Sequence, residues 1–407
     1  MTRRVVVTGM AGISPLGNDW PAIRARLGAY RNAIVRMDEW AGYEGLNTQL
    51  GAPAAPFALP AHYDRKATRS MGRVALLATR ASELALQDAG LLDHPLLKSG
   101  QMGISFGSSA GTPSAIGDFG RMMEERTTRG INATTYIKMM AHTAPVNIGV
   151  FFGVTGRVLT TSSACTSGSQ GIGYAYEAIK YGQQTAMIAG GAEELDATEA
   201  AVFDTLFATS TRNDAPETSP RPFDRARDGL VIGEGAGCLI LEERAHALAR
   251  GATIHAELVG FGTNSDGTHV TQPNAATMKV AMELALRDAQ LAPQAIGYVN
   301  AHGTATAHGD LAESQATAAL FGERMPISSL KSYMGHTLGA CGALEAWISI
   351  EMMREGWFAP TLNLEQVDPE CGVLDYIRGE GRKLDCEYVM SNNFAFGGIN
   401  TALIFKK

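Results

Sequence analysis

Long apolar runs are absent from this sequence of 407 residues. No uninterrupted stretch reaches the roughly 18 apolar residues that a membrane-spanning helix needs, so the chain is not expected to insert into a membrane. The short run Val5–Thr8 follows two arginines, but it is too short for the apolar part of a signal peptide. It predicts a first β-strand instead.

Cysteine is scarce, and its spacing is not that of a metal or disulfide motif. The five cysteines are at positions 165, 238, 341, 371 and 386, and no two form a Cys-x-x-Cys pair. A disulfide framework and a zinc site are therefore not expected, and a reduced, cytoplasmic protein is favoured. His308 and Asp310 form only a weak metal-binding pattern, since Asp310 is expected to cap a helix that begins near Leu311.

Nucleotide-binding signatures and a positive net charge are also missing. Gly9-Met10-Ala11-Gly12 lacks the G-x-G-x-x-G spacing, and no G-x-x-x-x-G-K-[ST] motif occurs. With 34 Lys and Arg against 41 Asp and Glu, the formal net charge is −7. Nucleic acid is not expected as a partner, because binding it requires a basic surface.

What is present is an alternation of short β-rich runs with longer helical ones, which is typical of an α/β protein. The runs that predict strands are Val5–Thr8, Met102–Phe106, Val158–Thr161, Ala186–Ala189, Cys238–Glu242, Ile254–Phe261, Gly297–Asn300, Met325–Ser328, Tyr388–Ser391 and Thr401–Phe405. Residues 75–91 predict a helix, with Leu77, Ala81 and Leu84 on one face.

One helical segment occurs twice. Glu83–Leu91 and Glu283–Leu291 share seven of nine residues at an offset of 200. Each copy is predicted to lie between strands, in corresponding places of two halves. We therefore predict a duplicated α/β unit, divided into residues 1–250 and residues 251–407. A site at the seam of two such halves can draw residues from both.

Cys165 lies in a run of small residues between a predicted strand and a predicted helix. The strand Val158–Thr161 leads into Ser162-Ser163-Ala164-Cys165, and the helical pattern begins a few residues later. Unpaired N–H groups and the dipole at a helix N-terminus stabilise a thiolate. Cys165 is thus the candidate nucleophile, although a buried cysteine acting as a small hydrophobic residue fits the same stretch.

Two histidines occur downstream in similar surroundings. His302 follows a predicted strand and precedes Gly303-Thr304-Ala305-Thr306, and His336 follows another in Lys331-Ser332-Tyr333-Met334-Gly335-His336. Folds of the α/β class place their sites at such strand ends. The separation of Cys165 from His302 also fits a papain-like protease, but the local papain signature is missing.

A fourth segment, Asn392–Asn400, is predicted to be an aromatic- and glycine-rich loop. Taken together, the segments of this chain resemble a known family. The segments that carry the resemblance are the Cys165 turn, His302–Thr306, Lys331–His336, Asn393–Gly398, Arg221–Gly229 and Gly233–Gly235. They are similar to the β-ketoacyl-acyl-carrier-protein synthases of the Cys-His-His type. The resemblance implies the thiolase fold, with two duplicated α/β halves in a layered α-β-α-β-α arrangement, and usually a dimer.

The resemblance also implies a decarboxylative Claisen condensation that lengthens a carrier-bound acyl chain. Cys165 would carry the acyl group, and the backbone N–H groups of Cys165 and Phe396 would form the oxyanion hole. His302 and His336 would hold the enolate oxygen of the malonyl unit. No metal or redox cofactor is expected, because loss of carbon dioxide drives the step.

Further roles follow from the same resemblance. Lys331 and Glu345 would form a supporting ion pair. The remaining predicted residues are the gate residues Phe394, Phe396, Gly397 and Gly398, the substrate-binding residues Thr304, Thr306, Ala110, Met139, Phe203 and Thr271, and the carrier-protein docking residues Arg65, Lys66, Arg69, Arg126 and Arg129. The expected partners are an acidic acyl carrier protein, in acyl and malonyl forms, and a second subunit in a homodimer or heterodimer.

Some residues depart from the family pattern. Ala307-His308 stands where relatives often have proline, and Phe207 stands where they often have a basic docking residue. These variants resemble ketosynthases of specialised pathways, such as aryl-polyene clusters, whose partner is a non-identical chain-length subunit.

The sequence argues against three other functions. A thiolase needs a second reactive cysteine in a Cys-x-Gly loop, and neither Cys371 nor Cys386 has that context. A type III synthase acting on coenzyme A esters has asparagine in place of His336. A non-catalytic chain-length subunit lacks the nucleophile, whereas Cys165 and both histidines are present here.

Overall fold

Strands and helices alternate along residues 2–407, the part of the chain that the computed structural model describes. The α-helices are α1 (Trp20–Gly28), α2 (Arg65–Thr68), α3 (Arg73–Asp88), α4 (Pro113–Glu125), α5 (Ala133–Met139), α6 (Thr143–Phe152), α7 (Ser167–Lys180), α8 (Ala197–Asp204), α9 (Arg244–Ala249), α10 (Ala275–Ala289), α11 (Ala307–Phe321), α12 (Lys331–Met334) and α13 (Cys341–Glu355). The strands are β1 (Val5–Ile13), β2 (Val35–Arg36), β3 (Leu50–Ala52), β4 (Met102–Gly107), β5 (Val158–Thr161), β6 (Ala186–Glu193), β7 (Ile232–Gly233), β8 (Gly235–Glu243), β9 (Ala256–Ser265), β10 (Ile296–Asn300), β11 (Pro326–Ser328), β12 (Trp357–Phe358), β13 (Asp375–Tyr376), β14 (Arg382–Lys383), β15 (Tyr388–Ala395) and β16 (Ile399–Lys406).

The main sheet contains two copies of one strand pattern. Its 11 strands have the order β13-β11-β10-β15-β16-β9-β1-β8-β6-β4-β5. At its middle, Val5–Val7 of β1 pair antiparallel with Ala256–Leu258 of β9. Outward from this seam, β8, β6, β4 and β5 on one side correspond to β16, β15, β10 and β11 on the other. On both sides the first two pairings are antiparallel and the next two are parallel.

The repeated helical segment lies in α3 and α10, and it makes the same contact in both halves. The Asp88 carboxylate at the end of α3 accepts the backbone N–H of Met10 in β1, at 2.9 Å. The Asp288 carboxylate in α10 accepts that of Phe261 in β9, at 3.1 Å. A shared side chain therefore ties each helix to the first strand of its half, and the predicted duplication of the fold is confirmed.

Helices α7 and α13 form the central layer of the molecule. Most residues of both helices are buried. Helix α7 packs on β6 and β4 of its own half and also on β16 of the other, whereas α13 packs on β15 and β8. Because α3 and α10 cover the outer faces, the layers follow the predicted α-β-α-β-α order.

Small residues allow the two central helices to approach closely where they begin. A Cβ atom at Gly168 would lie 2.8 Å from the carbonyl oxygen of Gly339. A Cβ atom at Gly342 would lie 2.6 Å from the backbone nitrogen of Ser169. Gly168, Gly339 and Gly342 thus bring the N-termini of α7 and α13 together.

Two sequence predictions about local structure are wrong. Helix α11 begins at Ala307, so Asp310 lies inside the helix and does not cap it. Its carboxylate instead accepts the backbone N–H groups of Phe223, at 2.6 Å, and of Ala305, at 3.0 Å. Strand β15 extends to Ala395, so the predicted loop at Asn392–Asn400 is reduced to a short turn between β15 and β16.

All five cysteines carry free thiols. Within residues 2–407, no helix combines the length and the apolar composition that crossing a bilayer requires.

Candidate active site

Side chains from both halves meet at the carboxyl ends of three strands. Cys165 follows β5, His302 follows β10, and His336 follows β11 and the short helix α12. The Sγ atom of Cys165 is 3.0 Å from Nε2 of His336. The two imidazole rings are 5.1 Å apart and nearly perpendicular, at 89°. The structure therefore brings together the three residues that the sequence singles out.

A strained turn presents the Cys165 side chain. Ala164 has a φ of 49°, in the left-handed region that residues with a Cβ atom seldom occupy. The Ser167 hydroxyl holds the turn, because it donates to the Ala164 carbonyl at 2.7 Å and accepts the N–H of Ser163 at 3.0 Å. Cys165 thus lies in a single helical turn directly before α7, close to the unpaired N–H groups of that helix.

Cys165 and both histidines line one cavity of about 520 Å³. The predicted residues that also line it are Phe203, Thr271, Thr304, Thr306, Phe394, Phe396 and Gly398. Ala110 and Met139 do not line this cavity. They lie next to each other at Gly111, where a Cβ atom would be 2.4 Å from the Met139 carbonyl oxygen. Cys165 itself is only 3% exposed, but it is reached through the cavity.

Hydrogen bonds to Nδ1 determine which nitrogen of each histidine carries its proton. The ammonium group of Lys331 is 3.2 Å from Nδ1 of His302, and the backbone N–H of Leu338 is 3.3 Å from Nδ1 of His336. Both neighbours can only donate, so each Nδ1 accepts and the proton of the neutral ring is on Nε2. Nε2 is therefore the free donor of each ring: that of His336 faces Sγ, and one nitrogen of each ring lies within 4.8 Å of Sγ.

Both histidines are neutral near pH 7. Burial lowers the pKa of His302 well below 6.5, and the positive charge of Lys331 lowers it further. Burial and the same lysine also lower the pKa of His336 well below 6.5. The rings therefore act as hydrogen-bond donors rather than as cations or as a proton reservoir.

The Cys165 thiol is protonated in the free protein, contrary to the expectation of a stabilised thiolate. Burial raises its pKa to about 11, although the Lys331 charge and the backbone N–H groups of Phe396 and Cys165 each lower it. Loss of solvent around sulfur thus outweighs the donors that surround it. The N–H groups of Phe396 and Cys165 nevertheless lie where the carbonyl oxygen of an acyl group on Cys165 would become negatively charged.

Lys331 and Glu345 form an ion pair behind His302 that is closed to solvent. Nζ is 2.5 Å from Oε1 of Glu345, and the side chains are 1% and 0% exposed. Burial lowers the pKa of Lys331, but the Glu345 carboxylate outweighs this effect and raises the pKa above its usual value. The amide of Asn393 donates to the other oxygen of Glu345, at 2.7 Å. The predicted partners of this pair are therefore in direct contact.

The three site residues are also the only group of His, Cys, Asp and Glu side chains in residues 2–407 that could hold a metal ion by their spacing. Their ligand atoms lie within 4.8 Å of one another. The ammonium group of Lys331, in contact with His302, opposes a divalent cation at this position by charge repulsion. The donor set therefore fits hydrogen bonding better than metal binding.

Sequence reasoning missed the carboxylate that positions His302. Oε1 and Oε2 of Glu313 accept the backbone N–H groups of His302 and Gly303, both at 2.7 Å. Burial raises the pKa of Glu313 to about 8. In the sequence, Glu313 could have been recognised as an acidic residue among the small and apolar residues of α11. It lies three positions after Asp310, whose carboxylate accepts the N–H of Ala305 in the same loop.

The turn after β15 closes one side of the cavity. Gly397 and Gly398 have φ values of 91° and 72°, which glycine adopts without strain. The N–H of Gly397 donates to the carbonyl of Val270 at 2.8 Å. The ring of Phe396 lies 4.9 Å from the ring of Phe203. The predicted gate residues thus adjoin the cavity and connect it to the exposed loop at Val270.

The predicted docking residues lie on the surface and outside the cavity. Arg65, Lys66, Arg69, Arg126 and Arg129 are all exposed. Within residues 2–407, none of these five side chains takes part in a salt bridge. Phe207, which stands where relatives often have a basic docking residue, is 88% exposed and lies at the mouth of the cavity.

Comparison with known proteins assigns both halves of the chain to described families. The family model "Beta-ketoacyl synthase, N-terminal domain" matches residues 2–247, and "Beta-ketoacyl synthase, C-terminal domain" matches residues 255–365. The chain is 37% identical over 413 residues to a protein named 3-oxoacyl-[acyl-carrier-protein] synthase 2 from Vibrio harveyi, with 100% of this chain and 99% of the relative covered.

Solved structures agree with this assignment. A crystal structure of a beta-ketoacyl synthase from Burkholderia phymatum STM815 has 62% sequence identity and a TM-score of 0.98, over 100% of this chain and 99% of that one. The structure described as the ishigamide ketosynthase/chain length factor has 29% identity and a TM-score of 0.90, over 100% of both chains.

Proposed function

Because this chain belongs to the β-ketoacyl synthase family, we propose that it extends carrier-bound acyl chains by two carbons through decarboxylative Claisen condensation. One observation carries the proposal beyond family membership. Two neutral histidines, each with Nδ1 already occupied by a donor, direct their Nε2–H groups to the side of the cavity where Cys165 lies. This arrangement suits an anionic oxygen that forms beside an acylated cysteine.

In the first step, Cys165 accepts the acyl group from a carrier-protein thioester. Sγ attacks the thioester carbonyl, the new C–S bond forms, and the carrier thiol leaves with the proton of the Cys165 thiol. The backbone N–H groups of Cys165 and Phe396, which already lower the pKa of that thiol, stabilise the carbonyl oxygen while it is negatively charged. Acylation also releases the Nε2–H that His336 directs at Sγ in the free protein.

In the second step, a malonyl thioester loses carbon dioxide beside the acylated cysteine. The electron pair of the broken C–C bond moves into an enolate, whose oxygen accepts hydrogen bonds from Nε2–H of His302 and His336. The carbanion then attacks the acyl carbonyl, and the C–S bond to Cys165 breaks. The 3-oxoacyl chain leaves on the second carrier, and Sγ recovers a proton.

Product analysis tests this reaction against its alternatives. With a panel of acyl carrier proteins and malonyl carrier, we expect a 3-oxoacyl carrier two carbons longer than the starter and one carbon dioxide per turnover, measured by intact-protein mass spectrometry. Condensation of two coenzyme A esters without release of carbon dioxide would instead identify a thiolase-type enzyme. Absence of any acyl adduct on Cys165 would favour a non-catalytic chain-length subunit.

We further propose that Arg65, Lys66 and Arg69 bind the acyl carrier protein. They are exposed cations on and beside α2, and an acidic partner complements them. Reversal of all three charges to glutamate is expected to raise the KM for the acyl carrier protein about tenfold, because each surface ion pair contributes about 0.2–1 kcal/mol. The kcat is expected to stay unchanged. Arg126 and Arg129 extend the same proposed surface.

A matched control separates docking from general charge effects. Arg26→Glu, Arg324→Glu and Lys383→Glu together change the net charge by the same amount, at exposed positions in other parts of the chain. This control variant should keep the KM of the parent. An increase in KM with a small pantetheine thioester, which has no carrier protein, would contradict the docking role.

The second subunit is proposed to pair at the β5 edge of the main sheet. Strand β5 is the last strand on its side, and its Val158 is 46% exposed. An unpaired edge strand offers N–H and C=O groups to a second chain. The partner is a second copy of this chain or a related subunit, as the name of the ishigamide ketosynthase/chain length factor suggests for that protein.

The division of the chain between residues 250 and 251, the cytoplasmic location and the role in a specialised pathway are likewise proposals.

A further inference from the structure

Glu193 is a buried carboxyl group that joins the two halves of the chain beside the active site. It is the last residue of β6 and is 0% exposed. From the N-terminal half, its oxygens accept the Ser108 hydroxyl at 2.9 Å and the backbone N–H of Ser109 at 2.8 Å. From the C-terminal half, they accept the backbone N–H of Gly339 at 3.0 Å. Burial of a carboxyl group is costly, and the reaction described above gives this one no part.

The turn that Glu193 holds also determines the proton position on His336. The N–H of Leu338 donates to Nδ1 of His336 at 3.3 Å, and Gly339 is the next residue. Leu338 has a φ of 44°, which a residue with a Cβ atom adopts only where surrounding contacts impose it. The hydrogen bond from Gly339 to Glu193 is such a contact, because it fixes the peptide group that joins Leu338 to Gly339.

The turn packs directly against the carboxyl group. A Cβ atom at Gly339 would lie 2.7 Å from Oε2 of Glu193 and 3.0 Å from the backbone nitrogen of Ser109. Gly191 of β6 has no room for a Cβ atom either, because the carbonyl oxygen of Gly339 lies against it. Since the turn is in contact with β6 through both residues, loss of the Glu193 oxygens is expected to displace the N–H of Leu338.

Other residues position the second histidine of the site. Glu313 accepts the backbone N–H of His302 at 2.7 Å, and Lys331 lies 3.2 Å from its Nδ1. The hydrogen bonds of Glu193 within residues 2–407 go to Ser108, Ser109 and Gly339. A change at position 193 should therefore affect His336 and leave His302 as it is.

We propose that Glu193 is a positioning residue for His336. Its carboxyl group keeps Gly339 in place, and the turn keeps the N–H of Leu338 on Nδ1 of His336. The Nε2–H of that ring then stays free to donate to the enolate oxygen. Glu193 does not line the cavity, so it acts through His336 and not on the substrate. This inference rests on the proposed function, because it assigns a residue to the second step of that reaction.

Two substitutions at position 193 separate hydrogen bonding from side-chain size. Glu193→Met has a similar size but no oxygen to accept from Gly339, whereas Glu193→Gln keeps one carbonyl oxygen. In Glu193→Met the kcat for carbon dioxide release from malonyl carrier is expected to fall about tenfold, less than the cost of about 10²–10³-fold for removing a donor outright. The KM for malonyl carrier and the rate of Cys165 acylation should stay unchanged. Glu193→Gln should keep most of the kcat.

The nitrogen signals of His336 test the route from Glu193 to the ring. They are recorded by NMR on the full-length protein labelled with ¹⁵N-histidine and identified by their absence in His336→Gln. In Glu193→Met the Nδ1 signal of His336 is expected to move toward that of an acceptor without a donor, while the signals of His302 stay in place. Unchanged His336 signals would overturn the inference, as would a kcat equal to that of the parent or an equal movement of the His302 signals.

Glu242→Met is the matched control. Glu242 is also 0% exposed, lies at the opposite end of the β6–β8 pair, and accepts the Thr8 hydroxyl at 2.9 Å. This variant should lose stability toward urea without a selective loss of carbon dioxide release. If Glu193→Met does not fold, Glu193→Asp, which withdraws the carboxyl group by one methylene, should show the same selective loss of kcat and the same movement of the His336 signals.

Failure of this inference and failure of the proposed function give different results. If the parent releases carbon dioxide and forms 3-oxoacyl product, but Glu193→Met does so at the same kcat, only the role of Glu193 is refuted. If the parent neither acylates Cys165 nor releases carbon dioxide, the proposed function is refuted. The ¹⁵N signals of His336 then still show whether Glu193 holds the turn, because they need no substrate.

Discussion

The Cys165→Gln variant is expected to lose condensation while it continues to release carbon dioxide from malonyl carrier. Glutamine has no nucleophile to accept the acyl group, so condensation should fall by more than about 10³-fold. The Nε2–H groups of His302 and His336 do not depend on the thiol, because the hydrogen bonds to Nδ1 come from Lys331 and Leu338. Carbon dioxide release and 3-oxoacyl product are measured in the same reaction.

A second cysteine provides the control for this variant. Cys386 is buried and does not line the cavity, so Cys386→Ser should retain both activities. If Cys165→Gln still forms 3-oxoacyl product, Cys165 is not the acyl carrier. If the variant loses carbon dioxide release as well, the two histidines do not act independently of the thiol.

The second large effect is expected for Lys331→Met. Without the ammonium group, Nδ1 of His302 loses its strongest donor, and the ring is free to place its proton there. Removal of one enolate donor is expected to slow carbon dioxide release by about 10²–10³-fold. The same change leaves Glu345 buried without its cation, which should destabilise the fold by about 3–5 kcal/mol. Decarboxylation rate and urea unfolding are measured in parallel.

A double variant separates these two effects. Lys331→Met with Glu345→Gln removes the buried unpaired charge, so much of the stability should return while decarboxylation stays slow. Lys180→Met is the matched control, because Lys180 forms a half-buried ion pair with Asp288 between α7 and α10. That variant should lose stability without a comparable loss of rate. Recovery of decarboxylation in the double variant would show that Lys331 acts on stability alone.

The strand pattern and the duplication could be predicted because they depend on local features. Alternation of β-rich and helical runs follows from side-chain periodicity, and Glu83–Leu91 repeats as Glu283–Leu291 in the chain itself. Cys165, His302 and His336 could be recognised because each lies in a distinctive run of small residues after a strand. The errors at Asp310 and in the 392–400 segment arose where tertiary hydrogen bonds and strand pairing extended an element beyond its local pattern.

The sequence by itself determined which side chains could do chemistry and in which half of the chain each one lies. Only the tertiary structure decided their chemical state. The proton position on His302 depends on Lys331, which lies 29 residues away in sequence, and the thiol of Cys165 is neutral because both halves bury it. Both states are invisible in the chain, since desolvation and hydrogen bonding depend on every neighbour in space and not on neighbours in sequence.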